Sequence, residues 1–258
     1  MICTPCATAP RASSCVHPWR ARLKWVPGPR RPDPANGEIS PGGIAGVSQG
    51  IGISVLSSSP TSASVERRTS ETLVRVSVEE GPRRPWRIST GSAFLDHMVE
   101  IFAFYSGLNV DASVEASRRL MHTIAEDLGI TLGTALRAMA DARISSTGCR
   151  CQGFAQAVLD EAYSQARISY EGRALAVVES SVGRFGQVED LQEEFLVALL
   201  EGLAQGMRAT VHVDLMRGKD PHHAWESAFR ALGSALRSAL ERDEWRRGSI
   251  AGVKGTVD

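Results

Sequence analysis

The sequence predicts an α+β fold built by internal duplication: two similar halves, each a small, mostly antiparallel sheet covered by two helices. Three observations carry this prediction. Strand-like and helix-like stretches are mixed without the strict β-α-β alternation of a parallel sheet. The stretch His122-Thr-Ile-Ala-Glu126 through Leu132-Gly133-Thr-Ala135-Leu136-Arg137 is echoed by His222-His223-Ala-Trp-Glu226 through Leu232-Gly233-Ser-Ala235-Leu236-Arg237, with seven of sixteen positions identical. Upstream, Phe94-Leu95 and Glu100 return as Phe195-Leu196 and Glu201. The halves are read as about 64–157 and 158–258.

The elements follow in order. Residues 1–63 read as a disordered or non-native N-terminal extension. Nine of twelve prolines lie in the first 60 residues and no apolar period is sustained, so too little surface can be buried to offset the entropy of ordering. Val65 to Val78 reads as a strand, on Leu73, Val74, Val76 and Val78. Gly81-Pro82 marks a turn and Trp86 to Ile88 a second strand. Ala93 to Tyr105 has Phe94, Met98, Ile101, Phe102 and Tyr105 at helical spacing. Asn109 to Ala116 alternates as a strand does. His122 to Ala142 is a long amphipathic helix, and Gly148 to Gly153 a loop. Strands follow around Tyr163–Tyr170 and Ala174–Ser180, then a helix over Leu191–Met207 and a strand over Ala209–Leu215. Asp220 to Glu241 is the last helix, with Asp220 suited to the N-cap and Pro221 to the first helical position.

Composition narrows the function. Lys+Arg and Asp+Glu both number 29, which argues against a protein whose main task is gripping nucleic acid or an anionic membrane. No run of about 18 apolar residues occurs, so no span is expected. The zero is a sum of two regions. Residues 1–62 hold six basic and two acidic residues, while five of the six histidines lie in the mildly acidic remainder. Five scattered cysteines do not suggest a disulfide framework, so a reducing, cytoplasmic setting is expected. Organellar import by the acid-poor N-terminal segment is the alternative. Cys3, Cys6, Cys15 and His17 have a zinc-like spacing, weighed against a chance cluster in a tail.

The chemistry sits on the repeated helices. His and Glu at i and i+4 share one helical face, within reach of a single metal ion. His223, next to His222, points to another side, so one helix start can serve two centres. Neutral imidazoles with a carboxylate suit Mn, Fe, Co or Zn better than Ca.

These residues are part of a longer pattern. Arg68-x-x-Glu71-Thr72, Thr90-Gly91 with Phe94-Leu95-Asp96-His97-Met98, the first His-x-x-x-Glu, Leu159-Asp160-Glu161-Ala162, Gly172-Arg173, Thr210-Val211-His212, Gly218-x-x-x-His222-His223-x-x-Glu226-x-x-Phe229 and Lys254-Gly255 occur in that order. The pattern resembles imidazoleglycerol-phosphate dehydratase, the dehydratase of histidine biosynthesis, over residues 65–257. Each motif alone is modest; in order, together, they are specific.

The resemblance implies dehydration of imidazole glycerol phosphate to imidazole acetol phosphate, a lyase reaction on a phosphorylated small molecule. It implies manganese, about two ions per subunit, in sites shared between subunits of a large homo-oligomer of typically about 24 chains. The implied metal ligands are His97, His122, Glu126, His212, His222, His223 and Glu226. Glu71 is the implied acid/base, with Glu226 also at the reacting centre. The implied phosphate cations are Arg173, Arg230, Lys254 and Arg150. The chain departs from the family's pattern at four places. Thr123 stands where a ligand histidine is usual, and the repeat independently sets Thr123 opposite His223. Cys151 stands for an arginine, with Arg150 adjacent. Arg230 replaces a lysine, and Gly252-Val253 a Ser-Thr pair. A catalytically degraded homologue, kept as a metal-binding or structural oligomer, is therefore the alternative reading.

Overall fold

In a computed structural model of the chain, residues 50–249 and 252 are described. The readings that fall on Cys3, Cys6, Cys15, His17 and Lys254 lie outside them. No helix among the described residues is long and apolar enough to cross a membrane.

The first sheet has five strands in the order β1 (Gly52–Ser59), β2 (Ser62–Arg68), β3 (Thr72–Glu79), β5 (Asn109–Ala116), β4 (Arg87–Ser89). Its pairings are antiparallel except β4 with β5. The second sheet runs β6 (Gln152–Leu159), β7 (Ala162–Ser169), β11 (Thr210–Arg217), β8 (Leu175–Ser180). Again the last pair, β8 with β11, is the parallel one. Strands β2-β3-β5-β4 and β6-β7-β11-β8 thus repeat one topology. The helices repeat with them: α1 (Ala93–Ser106) and α2 (Met121–Ser146) in the first half, α3 (Glu193–Met207) and α4 (Pro221–Ala239) in the second. A short hairpin, β9 (Gln187–Val188) with β10 (Leu191–Gln192), precedes α3.

Several boundaries differ from the sequence reading, each for a local reason. Val65–Val78 is two strands, not one. The break is a turn in which the Thr69 hydroxyl accepts the N–H groups of Glu71 and Thr72 at 3.1 and 2.9 Å; it uses no glycine or proline, so the usual punctuation is missing. Strand β1 lies within the segment read as an extension. Its residues 52–58 are exposed along an edge, so it shows no core-facing alternation in the sequence. The range read as a loop at Gly148–Gly153 runs into β6, and the boundary between halves at 157/158 falls inside that strand. Gly153 is there for close approach: a Cβ would overlap the Ala235 carbonyl of α4.

The ends of α1 and the start of α4 follow from capping. Ser92 accepts the Leu95 N–H with its side chain at the start of α1, and Gly107 closes the helix in the left-handed conformation, φ 74°. Asp220 takes the N-cap of α4, with Pro221 next, as the sequence suggests.

The helices interleave the two halves. α2 packs on β2 and β3, α4 on β6 and β7, while α2 crosses α3 and α1 crosses α4. The α2–α3 crossing uses Gly129, Gly133, Gly202 and Gly206, where any Cβ would strike the backbone of the facing helix. The result is one continuous apolar core that includes Leu95, Met98, Leu128, Leu136, Leu196, Trp225 and Leu236. Each sheet turns its other face outward.

Candidate metal centre and its surroundings

Two helix starts from opposite halves meet at one point. His97 lies in the first turns of α1, and His222 and Glu226 lie one turn apart at the start of α4. The α1–α4 crossing brings them together. His97 Nε2 and His222 Nε2 each stand 3.3 Å from Glu226 Oε2. Ligand atoms of these three residues lie within 4.8 Å of one another, which suits a single ion.

Two of these three side chains, Glu226 and His222, are held from behind. Arg230, one turn further along α4, reaches Glu226 Oε1 with Nη2 at 2.6 Å and Nε at 3.0 Å. That engages one carboxylate oxygen and leaves the other facing the imidazoles. Burial pushes the Glu226 carboxyl up, but the hydrogen bond and charge of Arg230, with His97, outweigh it and hold the group below its ordinary value. His222 Nδ1 lies 3.0 Å from Glu189 Oε1. The ring also sits 5.2 Å from Phe94 and 5.4 Å from His97, centroid to centroid.

His223 turns away. Its ring is at 83° to that of His222, and its Nδ1 meets Glu161 Oε2 at 3.0 Å. Glu161 also accepts the backbone N–H groups of Asp220 and Lys219, at 3.0 and 3.1 Å. The Asp220 amide first, then His223, lower its carboxyl to about 2. The same hydrogen bond to Glu161 raises the His223 imidazole.

The remaining site residues predicted from sequence fall into two further groups. On α2, His122 is exposed with its ring edge-on to Phe195 at 6.1 Å, and Glu126 is half-buried. The next residue, Asp127, is buried, receives the Thr72 hydroxyl, and lies 2.5 Å from Arg67 Nη1. Glu71, exposed at the β2–β3 turn, precedes Thr72 directly, so this contact ties Glu71's turn to the helix of His122 and Glu126. Thr123 is half-buried beside them.

The third group is on the outward face of the second sheet. Alternation in β11 buries Val211, Val213 and Leu215 toward the helices and turns His212 the other way. Cross-strand register sets Phe154, Arg167, His212 and Val177 in one row. A cleft of about 620 Å³ there is lined by His212, Arg150, Arg167 and Arg246, among others. Arg150 is exposed and bonds Glu241 Oε2 at 2.8 Å and Ser238 Oγ at 3.1 Å. Arg173 is exposed near the same end of the sheet, its carbonyl 3.5 Å from the Thr210 hydroxyl. Cys151 is buried, with φ 62°.

The structure therefore brings together His97, His222 and Glu226, turns the neighbouring His223 away from them, and leaves His122, Glu126 and His212 outside that cluster. Arg230, read from sequence as a phosphate cation, is engaged by Glu226. Trp225 is packing: it is buried and donates its ring N–H to Glu193 Oε1. Sequence reasoning gave no role to Glu189, Asp190 or Arg246. No pattern marks Glu189, an exposed acid in a short hairpin, until the fold sets it beside His222.

Known proteins of one family are similar to this chain in sequence and in fold. The family profile described as imidazoleglycerol-phosphate dehydratase matches residues 90–236. The chain is 36% identical over 203 residues to a protein of that name from Neisseria gonorrhoeae, covering 76% of this chain and 64% of that one. It is thus similar to somewhat under two thirds of the Neisseria protein. It is 37% identical over 202 residues to the protein of that name from Marinomonas sp., of which 98% is covered. Among solved structures, the Pyrococcus furiosus dehydratase is similar with a TM-score of 0.63 and 32% identity, over 74% of this chain and 98% of that one. The Staphylococcus aureus imidazoleglycerol-phosphate dehydratase gives 0.60 and 26%, over 70% and 99%.

Proposed function

The chain belongs to the imidazoleglycerol-phosphate dehydratase family, and from that premise we propose that it is a metal-dependent hydro-lyase converting imidazole glycerol phosphate to imidazole acetol phosphate in histidine biosynthesis. The observation that carries the reading is the convergence of His97 Nε2, His222 Nε2 and Glu226 Oε2. Two imidazole nitrogens and one carboxylate oxygen can hold manganese or another first-row divalent ion. When bound, the ion supplies Lewis-acid polarisation of the substrate's imidazole ring and a template for its orientation.

The chain's own residues do the rest. Arg230 fixes the Glu226 carboxylate, and Glu161 fixes His223 for the second centre proposed around it. His122, Glu126 and His212 are the other proposed ligands. His212 faces away from the helices, so this reading has the centres completed by another copy of the chain, within a homo-oligomer of about 24 subunits. The proton to be removed sits on a carbon that is not acidic by itself, and Glu71, exposed on its turn, is the carboxylate proposed to carry it. Arg150, Arg173 and Lys254 are proposed phosphate contacts. The cleft beside His212 supports Arg150 and adds Arg246 as a neighbour. A cytoplasmic setting is part of the same proposal.

The test is turnover by purified protein with manganese and imidazole glycerol phosphate, alongside metal analysis and size measurement. Product formation, with about two ions per chain, is expected. No turnover from an intact, metal-loaded assembly overturns the enzymatic reading in favour of a degraded homologue.

A further inference from the structure

We propose that Glu189 is a positioning residue that selects the Nδ1–H form of His222 and so aims its Nε2 at the ion; the inference rests on the metal reading above. Glu189 and Asp190 form the two-residue turn between β9 and β10. On either side, Val188 and Leu191 are buried. The hairpin is fastened again by Glu193, whose Oε2 accepts the Phe185 and Gly186 N–H groups at 2.9 and 3.2 Å while its Oε1 accepts from Trp225 of α4 at 3.2 Å. The turn is therefore fixed to the helix that carries His222.

Its two acids reach two different helices. Asp190 accepts the Ala93 and Phe94 N–H groups at 2.9 and 3.0 Å, and the Ser92 hydroxyl at 3.0 Å, at the start of α1. That helix carries His97. Glu189 reaches His222 Nδ1 at 3.0 Å. One turn thus grips both ligand-bearing helices. Glu189 does so with φ 52°, a left-handed conformation uncommon for a residue that is not glycine and retained here within an anchored hairpin.

The chemistry follows from the ring. A neutral imidazole has one donor and one acceptor nitrogen, and a carboxylate accepts only. Glu189 at Nδ1 favours the proton there, leaving the Nε2 lone pair toward Glu226 Oε2 and the ion. Glu161 stands in the same relation to His223, so both adjacent imidazoles have an acidic neighbour at Nδ1.

The experiment compares the full-length wild type with Glu189→Ala and Glu189→Gln. Manganese affinity is measured by calorimetry, and histidine tautomers by solid-state ¹⁵N spectra of the metal-free proteins, with His222 identified by difference against His222→Gln. Glu189→Ala is expected to weaken manganese binding about 10- to 100-fold and to reduce the Nδ1–H population of His222. Glu189→Gln, whose amide oxygen still accepts, is expected to lose less of both. A Glu189→Ala protein with unchanged His222 tautomers overturns the inference, whatever its metal content. So does one with altered tautomers but wild-type manganese affinity. If the wild type binds no manganese yet its His222 tautomer still shifts in Glu189→Ala, the selection of the tautomer stands and the metal reading falls.

Discussion

Arg230 holds Glu226 by a single carboxylate oxygen, with Nη2 at 2.6 Å and Nε at 3.0 Å from Oε1, so that Oε2 alone faces His97 and His222. Arg230→Gln leaves a largely buried carboxylate without its cation. The expected loss is about 1–3 kcal/mol in denaturant unfolding, together with weaker manganese binding. Arg230→Lys keeps charge but not the fork, and should fall between the two. Unchanged stability and metal affinity in Arg230→Gln would show that the contact does not set the carboxylate.

Asp190 makes a pH prediction with a definite sign. Burial pushes its carboxyl up, but the Phe94 and Ala93 amides and the Ser92 hydroxyl outweigh this and hold it below the ordinary 3.8. A depressed folded value means stability present above 3.8 and lost as pH falls through the lower folded value. Asp190→Asn should therefore cost about 1 kcal/mol near neutrality, as loss of a helix cap does. The difference from wild type should shrink as both are acidified below that range. Melting curves across pH check this, and a gap that stays constant into acid would count against it.

Close packing of α2 on α3 makes Gly133 intolerant. A Cβ there would collide with the Leu203 carbonyl and stand 2.8 Å from the Met207 nitrogen, both main-chain atoms. Gly133→Ala is expected to destabilise by about 1–3 kcal/mol or more. Gly81→Ala meets nothing within 4 Å and should stay within about 0.5 kcal/mol of wild type. Equal stability of the two variants would contradict the crossing.

Asp127 links α2 to the first sheet through Arg67 and Thr72. Asp127→Ala strands a partly buried guanidinium and frees the turn that carries Glu71. A loss of about 3 kcal/mol is expected, measured by urea unfolding, along with a lower kcat in the turnover assay. A variant as stable as wild type would remove this network from the account.

Thr123→His restores the imidazole that the internal repeat sets opposite His223. The expected outcome is a higher manganese content per chain by elemental analysis. An unchanged metal content would mean that the two helix starts are not equivalent as ligands.

Much of this was legible locally. The Asp220-Pro221 cap, the α1 apolar spacing and the β5 alternation each act within a few residues, so the sequence displays them. The repeated His-x-x-x-Glu was legible because two ligands one turn apart must share a face. Strand β6 was hidden because Gly153 looks like a breaker, although its lack of a side chain serves α4. The β2–β3 turn was hidden because a threonine hydroxyl replaces the usual turn residues.

By itself the sequence determined the duplicated α+β plan, the family and the residue types able to hold a metal. Tertiary structure decided which of them meet. His97 and His222 are 125 residues apart in the chain, and they come together because α1 crosses α4 rather than packing within its own half. His212 is kept apart from them by the two-residue period of β11, which must bury Val211 and Val213 and so turns His212 outward. Glu189 gains its place at His222 only from the anchored hairpin, since an exposed carboxylate carries no sign of its partner until the backbone fixes its direction.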